Sequence, residues 1–241
     1  MYNYKYLIGN KYRYLLEKPL ETYNIDVIWL PDNPFIDKRL SGHADLSAFY
    51  LENEIYLAPY LQKYFDDYSF RRLFEKCNRI YFIDEKQYPE YPHDAQLNIR
   101  LLQKKAFVNT KTASKIIINR MPDHNIEIIP VNQGYCACSI LPCGTDALMT
   151  ADPGIYAAAL NSGMDALKIS SGHITLDGFN YGFIGGCGII DNNSNILFTG
   201  EIAEHPDYMK IITFLKKHNI GYSCLTELSL FDIGGAVMIR N

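Results

Sequence analysis

The sequence predicts an α/β protein in which five copies of one small unit form a closed ring with pseudo-fivefold symmetry. Buried β-strands begin near residues 26, 79, 126, 166 and 221, and a period of ~40–50 residues is typical of repeat architectures. A loop, a two-stranded hairpin and a helical pattern follow most of these strands. The fifth copy lacks its last strand and helix, and residues 4–23 supply both. We therefore expect the N-terminal segment YKYLIG to pair with the C-terminal segment GGAVMI, within a single domain of residues 1–241. An ordinary open α/β sheet is the alternative.

The first copy shows the unit most clearly. Residues 41–59, SGHADLSAFYLENEIYLAP, begin as a loop that carries His43 and Asp45. Two apolar runs follow, separated by the turn sequence Glu52-Asn53-Glu54, which predicts a β-hairpin. A proline and a helical pattern over residues 60–75 complete the unit. If the leading loops of all copies face the centre of the ring, His43 and Asp45 lie there.

The second copy repeats this order. Its loop YPEYPHDAQL holds His93 and Asp94, and its hairpin turns at residues 103–105. We expect a helix from about residue 110 with Thr110 or Thr112 as its N-cap, because a threonine side chain can accept a hydrogen bond from the first helical turn. A structural turn between prolines explains His93 and Asp94 about as well as a binding role does.

The third and fourth copies place cysteines at positions like that of Asp45. Cys138 follows Gln133 and Tyr135 and is predicted to enter the hairpin strand, and Cys187 does the same after two glycines. Most intracellular cysteines are small buried hydrophobic residues, and that reading fits each of them singly. The loop over residues 170–186 is longer than most connections, and long loops are commonly functional. We interpret it as a lid or pocket wall.

Composition excludes several classes of function. The chain is 48% hydrophobic, carries a formal net charge of −4 and has no run of like charges, so we expect no nucleic-acid partner. No apolar stretch is long enough for a membrane span. The first residues lack the features of a signal peptide, which favours a cytoplasmic protein whose six cysteines are reduced thiols. We find no cofactor motif and no zinc-ligand spacing, and therefore expect neither cofactor nor metal. The oligomeric state stays open, a homo-oligomer included.

Three segments resemble the pentein, or guanidino-group-modifying-enzyme, superfamily. His43-Ala44-Asp45 resembles its His-x-Asp motif ahead of a hairpin, PHDAQLNIRLLQKKAFVNTKTAS its acidic motif with hairpin and helix, and DIGGAVMIRN its glycine-rich final strand. The resemblance implies a five-bladed α/β propeller of ββαβ repeats. It also implies the chemistry of arginine deiminase, amidinotransferases and dimethylarginine dimethylaminohydrolase: cysteine attack on a guanidinium carbon, proton transfer by histidine, and carboxylates that hold the guanidinium.

The resemblance leaves the nucleophile open. The final strand has Ala236-Val237-Met238 where these enzymes carry cysteine, and no cysteine follows Cys224. The chain is thus a divergent branch in which Cys138, or Cys187, is the candidate nucleophile and His43 the candidate acid and base. The candidate substrate-binding residues are Asp45, His93, Asp94, Gln133 and Tyr135. We expect a pocket for a guanidino-like cationic metabolite, either in a cysteine hydrolase or transferase or in an inactive protein that binds a ligand or a macromolecule.

Overall fold

The computed structural model describes residues 4–191 and 193–240, so Asn192 and both ends of the predicted domain lie outside it. The described part contains fifteen β-strands and six α-helices. The strands are β1 (Tyr4–Gly9), β2 (Asp26–Leu30), β3 (Ala48–Leu51), β4 (Glu54–Leu57), β5 (Arg79–Phe82), β6 (Arg100–Leu102), β7 (Lys105–Val108), β8 (Glu127–Pro130), β9 (Leu141–Pro142), β10 (Ala147–Thr150), β11 (Asp165–Lys168), β12 (Gly188–Ile190), β13 (Ile196–Phe198), β14 (Tyr222–Cys224) and β15 (Val237–Arg240). The helices are α1 (Arg13–Thr22), α2 (Tyr68–Arg72), α3 (Lys115–Arg120), α4 (Cys136–Ser139), α5 (Pro153–Asn161) and α6 (Tyr208–Lys217). No described helix is long and apolar enough to cross a membrane.

The strands form five three-stranded sheets, ordered β15-β1-β2, β3-β4-β5, β6-β7-β8, β9-β10-β11 and β12-β13-β14. In every sheet the first strand is antiparallel to the middle strand, and the third strand is parallel to it. A helical segment connects each parallel pair, as parallel neighbours require a crossover. The fold is therefore α/β with five equivalent sheets.

The N-terminal strand pairs with the C-terminal strand, as the sequence predicts. In β1 and β15, Tyr6 lies opposite Met238 and Leu7 lies opposite Val237, in antiparallel register. Strand β2 adds to the other side of β1 in parallel. The two ends of the described chain thus complete one sheet, and that sheet has the same strand order as the other four.

The hairpin turns follow from residues that tolerate the left-handed backbone. Glu52 and Asn53, between β3 and β4, have φ values of 47° and 71°, and positive φ at two successive positions is the mark of a type I′ turn. This turn sets the register in which Leu51 pairs with Glu54 and Ala48 with Leu57.

Two predicted helices differ from the observed ones. Helix α3 begins at Lys115, so neither Thr110 nor Thr112 caps it. Glu85 instead accepts hydrogen bonds from the hydroxyl of Ser114 (2.6 Å) and the backbone N–H of Lys115 (2.8 Å), and this distant carboxylate satisfies the helix start that the sequence assigned to threonine. The helix predicted over residues 60–75 divides into a 3-10 helix, Pro59–Asp66, and α2.

Helix α5 begins as the sequence indicates. Asp152 is its N-cap and accepts a hydrogen bond of 2.9 Å from the backbone N–H of Ile155. Pro153 is the first helical residue, where its missing N–H costs nothing. Because α5 follows β10 and precedes β11, this cap fixes the crossover of the fourth sheet.

One cavity of about 370 Å³ is lined by residues of β3, β6, β9, β12 and β15. These are the first strands of all five sheets. We call it the strand cavity. Every sheet therefore contributes its first strand to the wall of this cavity.

Candidate functional site

His43, Asp45 and Cys138 come together in the interior. Their ligand atoms all lie within 4.8 Å of one another, and all three residues are buried. His43 precedes a 3-10 helix, Ala44–Leu46, and Cys138 lies in the single-turn helix α4. Each short helix stands directly ahead of the first strand of its sheet, so the repeated unit itself brings these side chains together.

The thiol of Cys138 is hydrogen-bonded on two sides. It donates to Oδ2 of Asp45 (2.8 Å) and accepts from the side-chain amide of Asn98 (3.3 Å). The side-chain oxygen Oδ1 of Asn98 also accepts hydrogen bonds from the backbone N–H groups of Ala137 (2.7 Å) and Cys138 (3.3 Å). Asn98 therefore fixes both the thiol and the helical turn that carries it.

Burial dominates the electrostatics of the site. It raises the pKa of the Cys138 thiol well above its ordinary value, and the neighbouring Asp45 carboxylate raises it further. Burial also raises the pKa of Asp45 to about 7 and lowers the pKa of His43 to about 3, because a low-dielectric interior disfavours each charged form. At neutral pH the thiol and the imidazole are consequently uncharged. The imidazole Nε2 of His43 and Oδ1 of Asp45 have no hydrogen-bond partner among the described residues.

A cavity of about 270 Å³, here called the site cavity, opens beside these residues. His43, Cys138 and Asp232 provide polar groups in its wall, and the remaining lining is mostly apolar. The carboxylate of Asp232 accepts backbone hydrogen bonds from Phe183 and Gly234, both 2.8 Å long, and its burial raises its pKa to about 6. Asp232 is therefore a buried carboxylate in the wall of the site cavity, and Asp45 is a second one, hydrogen-bonded to Cys138 behind that wall.

The loop over residues 170–186 forms one wall of the site cavity, as the sequence interpretation proposed. Phe179 and Phe183 are among its lining residues. Arg39 holds this loop in place, because it donates to the carbonyl of Gly178 (2.6 Å) and its guanidinium lies 4.1 Å from the centroid of the Phe179 ring. Gly178 has φ +75°, and a Cβ there would lie 2.4 Å from Cδ of Arg39, so only glycine fits this contact.

Tyr135 and Asp94 form a second polar pair. Tyr135 lines the site cavity, and its hydroxyl donates a hydrogen bond of 2.7 Å to Oδ2 of Asp94. Asp94 is buried, and burial raises its pKa. Tyr135 thus lies between Asp94 and the site cavity.

The other candidate residues lie apart from the site cavity. Gln133 accepts from the backbone N–H of Tyr135 (3.0 Å) and lines a different depression with Asp152. His93 is exposed, and its ring packs edge-on against Tyr88. Cys187 is fully buried in an apolar cluster, and its thiol donates to the carbonyl of Phe183 (3.1 Å).

Sequence reasoning placed Cys138 at the start of a hairpin strand, but the chain forms helix α4 before β9 begins.

Sequence reasoning also missed Asn98, Asp232 and Arg100. All three lie in or near the segment that leads into the first strand of a sheet, as Asp45 does. Their positions in the repeat, equivalent to that of Asp45, are the sequence signal that could have identified them.

The group of His43, Asp45 and Cys138 also has ligand spacing for a metal ion, and it is the one such group in the described residues. Imidazole, carboxylate and thiolate are ligands that Zn²⁺ accepts. The thiol proton, however, is used in the hydrogen bond to Asp45, and a metal would have to displace it. The sequence-based expectation of no metal stays a prediction.

Comparisons with solved structures show the same fold in guanidino-modifying enzymes. Dimethylarginine dimethylaminohydrolase from Pseudomonas aeruginosa, a mutant in complex with citrulline, aligns over 93% of this chain and 85% of its own, with a TM-score of 0.53 and 8% identity. An adduct of dimethylarginine dimethylaminohydrolase with 4-chloro-2-hydroxymethylpyridine covers 100% of both chains, with a TM-score of 0.55 and 11% identity. An amidinotransferase of the saxitoxin pathway from Microseira wollei covers 86% of this chain and 72% of its own, with a TM-score of 0.51 and 10% identity.

These similarities confirm the predicted resemblance to the pentein superfamily at the level of fold. Residues 7–237 match a family of unknown function, DUF6873, and the chain belongs to that family. No curated protein matches the sequence. The chain therefore shares its fold with these enzymes, while its sequence places it in a family of its own.

Proposed function

We propose that the site cavity binds a guanidinium or amidinium group and that Cys138 attacks its central carbon. The observation that carries this proposal is the 2.8 Å hydrogen bond from the Cys138 thiol to Asp45, beside an imidazole with an unbonded Nε2. A nucleophile and an acid-base group thus line one cavity, and the proton acceptor lies directly behind the nucleophile. The similarity in fold to enzymes that act on guanidino compounds supports the same reading.

Charge favours a cationic ligand. Asp45 and Asp232 are buried carboxylates, and burial raises the pKa of each by more than the neighbouring hydrogen-bond donors lower it. A planar guanidinium supplies both the positive charge and paired N–H donors that a carboxylate accepts. Binding of such a cation lowers the pKa of both carboxylates and of the Cys138 thiol.

The chemistry follows from these positions. The thiol proton passes to Asp45, the sulfur forms a bond to the guanidinium carbon, and the C–N bond to the leaving amine breaks. His43 carries the displaced proton to that amine, so no further proton source is needed. Water gives one proton to Asp45 as it attacks the carbon, and the C–S bond breaks. The thiolate takes that proton back, and the second proton of the water passes to solvent as a neutral ureido product leaves. An amine in place of water gives amidino transfer.

Mass spectrometry of acid-quenched reactions tests this proposal. The wild-type protein is mixed with arginine, agmatine and methylguanidine, and released ammonia or amine is measured in parallel. We expect a covalent amidino adduct on the peptide that contains Cys138, and its loss in Cys138→Ser. Cys187→Ser is the matched control and should keep the adduct. An adduct on another cysteine, or turnover by Cys138→Ser, contradicts the assignment.

A second function has its own support. The pKa of Cys138 is raised, so its thiol is a poor nucleophile until a cation is bound. A protein that binds a cationic metabolite without converting it has no need of a reactive thiol. Stabilisation of the wild-type protein by guanidino compounds, with neither adduct nor product, supports this function over catalysis. Binding of a macromolecule is the remaining alternative, and it has no comparable observation.

For the architecture, we propose a single domain over residues 1–241 in which the five sheets form a closed propeller. The pairing of β1 with β15 and the lining of the strand cavity by five equivalent strands support it. The proposed partner is a small molecule in the cytoplasm rather than a nucleic acid or membrane.

A further inference from the structure

The strand cavity is a second place where a small molecule fits. Its volume of about 370 Å³ is within the range of ordinary ligand pockets. Phe49, Leu101 and Met238 give it mainly apolar walls. Asp45 belongs to this wall, while its hydrogen-bond partner Cys138 belongs to the wall of the site cavity. The two cavities are therefore neighbours with separate linings.

Arg100 is the one positively charged residue in the described wall of this cavity. The side chain is partly buried, and its one hydrogen bond among the described residues goes to the carbonyl of Ala137. The Nε atom is enclosed and has no partner in that part of the chain. Burial lowers the pKa of Arg100, while the charge of Asp45 raises it by a smaller amount.

Nothing in the described residues forms an ion pair with this guanidinium. Asp45 is the one carboxylate in the described wall, and its Oδ1 has no hydrogen-bond partner among the described residues, but the two side chains are not in ion-pair contact. A buried charge without a partner is costly, and arginines withdrawn from water are normally paired. Arg100 therefore retains N–H donors that no carboxylate of residues 4–191 or 193–240 accepts.

We propose that the strand cavity binds a small organic carboxylate, with its anionic group on Arg100 and its hydrocarbon body between Phe49, Leu101 and Met238. A guanidinium fork matches the two oxygens of a carboxylate. A single arginine in apolar walls suits a monoanion with a hydrocarbon body, whereas inorganic phosphate carries more charge than this cavity offsets. This site does not depend on the proposed function of the site cavity.

Isothermal titration calorimetry with matched probes tests the site. Hexanoate and phenylacetate are titrated into the wild-type protein beside their uncharged amides and inorganic phosphate. We expect the carboxylates to bind at least about tenfold more tightly than the amides, because only they pair with the guanidinium. Phosphate should bind more weakly than either acid.

Two variants and one control locate the binding. Arg100→Gln removes the charge, and Met238→Trp fills the cavity from a position on β15 that is 40% exposed while it leaves Arg100 in place. Both should weaken hexanoate at least about tenfold, and the exposed Arg71→Gln should not. If Arg100→Gln does not fold, Met238→Trp decides alone. Equal binding of acid and amide, tighter binding of phosphate, no binding of any probe, or unchanged affinity in the folded variants each overturns the proposal.

Discussion

The thiol of Cys138 donates a hydrogen bond of 2.8 Å to Oδ2 of Asp45, although the two residues lie 93 positions apart in the chain. Each comes from the segment ahead of the first strand of a different sheet. The two segments hold equivalent places in the repeated unit, and the fold brings them into contact. It also means that the reactivity of the thiol and the charge of the carboxylate cannot change independently.

A cationic electrophile should label Cys138 selectively. We expect 2-chloroacetamidine to alkylate Cys138 faster than its uncharged analogue 2-chloroacetamide does, because the amidinium is attracted to Asp45 and Asp232 and lowers the pKa of the thiol. Peptide mapping after timed exposure measures both rates. The partly buried Cys77 and Cys224 serve as internal controls without this preference. Equal rates for both reagents at Cys138 would contradict the cation-binding account.

Replacement of Asp45 by Asn should change how stability depends on pH. The pKa of Asp45 is raised from 3.8 to about 7 by burial, so between these values the folded protein binds a proton that the unfolded chain releases. Asp45 therefore contributes a loss of unfolding free energy as pH rises from about 4 through 7. Urea unfolding of both proteins at pH 5 and pH 8 tests this. The free energy of unfolding of Asp45→Asn, relative to that of the wild type, should be higher at pH 8 than at pH 5.

Asp207→Asn is the control, because the pKa of Asp207 is shifted in the opposite direction to that of Asp45. Hydrogen bonds from Lys210 and the backbone of Ser170 hold the pKa of Asp207 below its ordinary value, so its contribution is present at neutral pH and is lost as pH falls below about 4. The difference between this variant and wild type should stay constant from pH 5 to pH 8. A constant difference for Asp45→Asn as well would show that Asp45 keeps an ordinary pKa.

Much of the architecture was predictable from the sequence because it depends on local patterns. The strand YKYLIG, the turn at Glu52 and Asn53, and the cap at Asp152 are each fixed by residues close in the chain. The start of α3 was not predictable, because the capping group is Glu85, about thirty residues upstream. Turn and strand signals are short-range, whereas a cap supplied by a residue thirty positions away becomes visible only after folding.

Glu54 should be far more important for stability than its neighbour Glu52. The buried Glu54 accepts hydrogen bonds from Arg120 (2.6 Å) and the Tyr56 hydroxyl (2.7 Å) and thereby ties β4 to α3. We expect Glu54→Gln to lower the free energy of unfolding by more than about 2 kcal/mol, because it leaves buried polar groups incompletely paired.

Glu52→Gln is the matched control. Its ion pair with Lys104 is exposed on both sides, so its loss should cost less than about 1 kcal/mol. Urea denaturation of both variants measures the difference. Equal effects would mean that the hydrogen bonds of the buried Glu54 do not stabilise the contact between β4 and α3.

Loss of the contact between Arg39 and the loop over residues 170–186 should open the site cavity. Arg39→Ala removes the hydrogen bond to Gly178 and the stacking on Phe179. We expect faster proteolytic cleavage within the loop and faster dissociation of guanidino ligands, with little change in global stability because these contacts lie at the surface. Arg71→Ala, in α2, is the control. Unchanged cleavage and dissociation would show that the loop is held by its own residues.

The candidate site was only partly accessible from the sequence. His43, Asp45 and Cys138 were identified by their positions in the repeat, and these are residues that the structure brings together. Asp232 was not predicted, because its place at the cavity depends on the backbone N–H of Phe183, 49 residues upstream. The separation of Cys187 from the cavity was equally unpredictable, because Cys187 ends a 3-10 helix, Ile184–Gly186, and does not lie in the hairpin strand where the sequence placed it.

The most direct test of the central claim is a calorimetric comparison of butylguanidinium with the uncharged, nearly isosteric butylurea at pH 8, in the wild-type protein and in Asp45→Asn. We expect the wild type to bind the guanidinium at least about tenfold more tightly than the urea, and the variant to lose that preference because the carboxylate is gone. Equal affinity for the two compounds in the wild type, or a preference that survives in Asp45→Asn and in Asp232→Asn, would contradict a cation site beside Cys138.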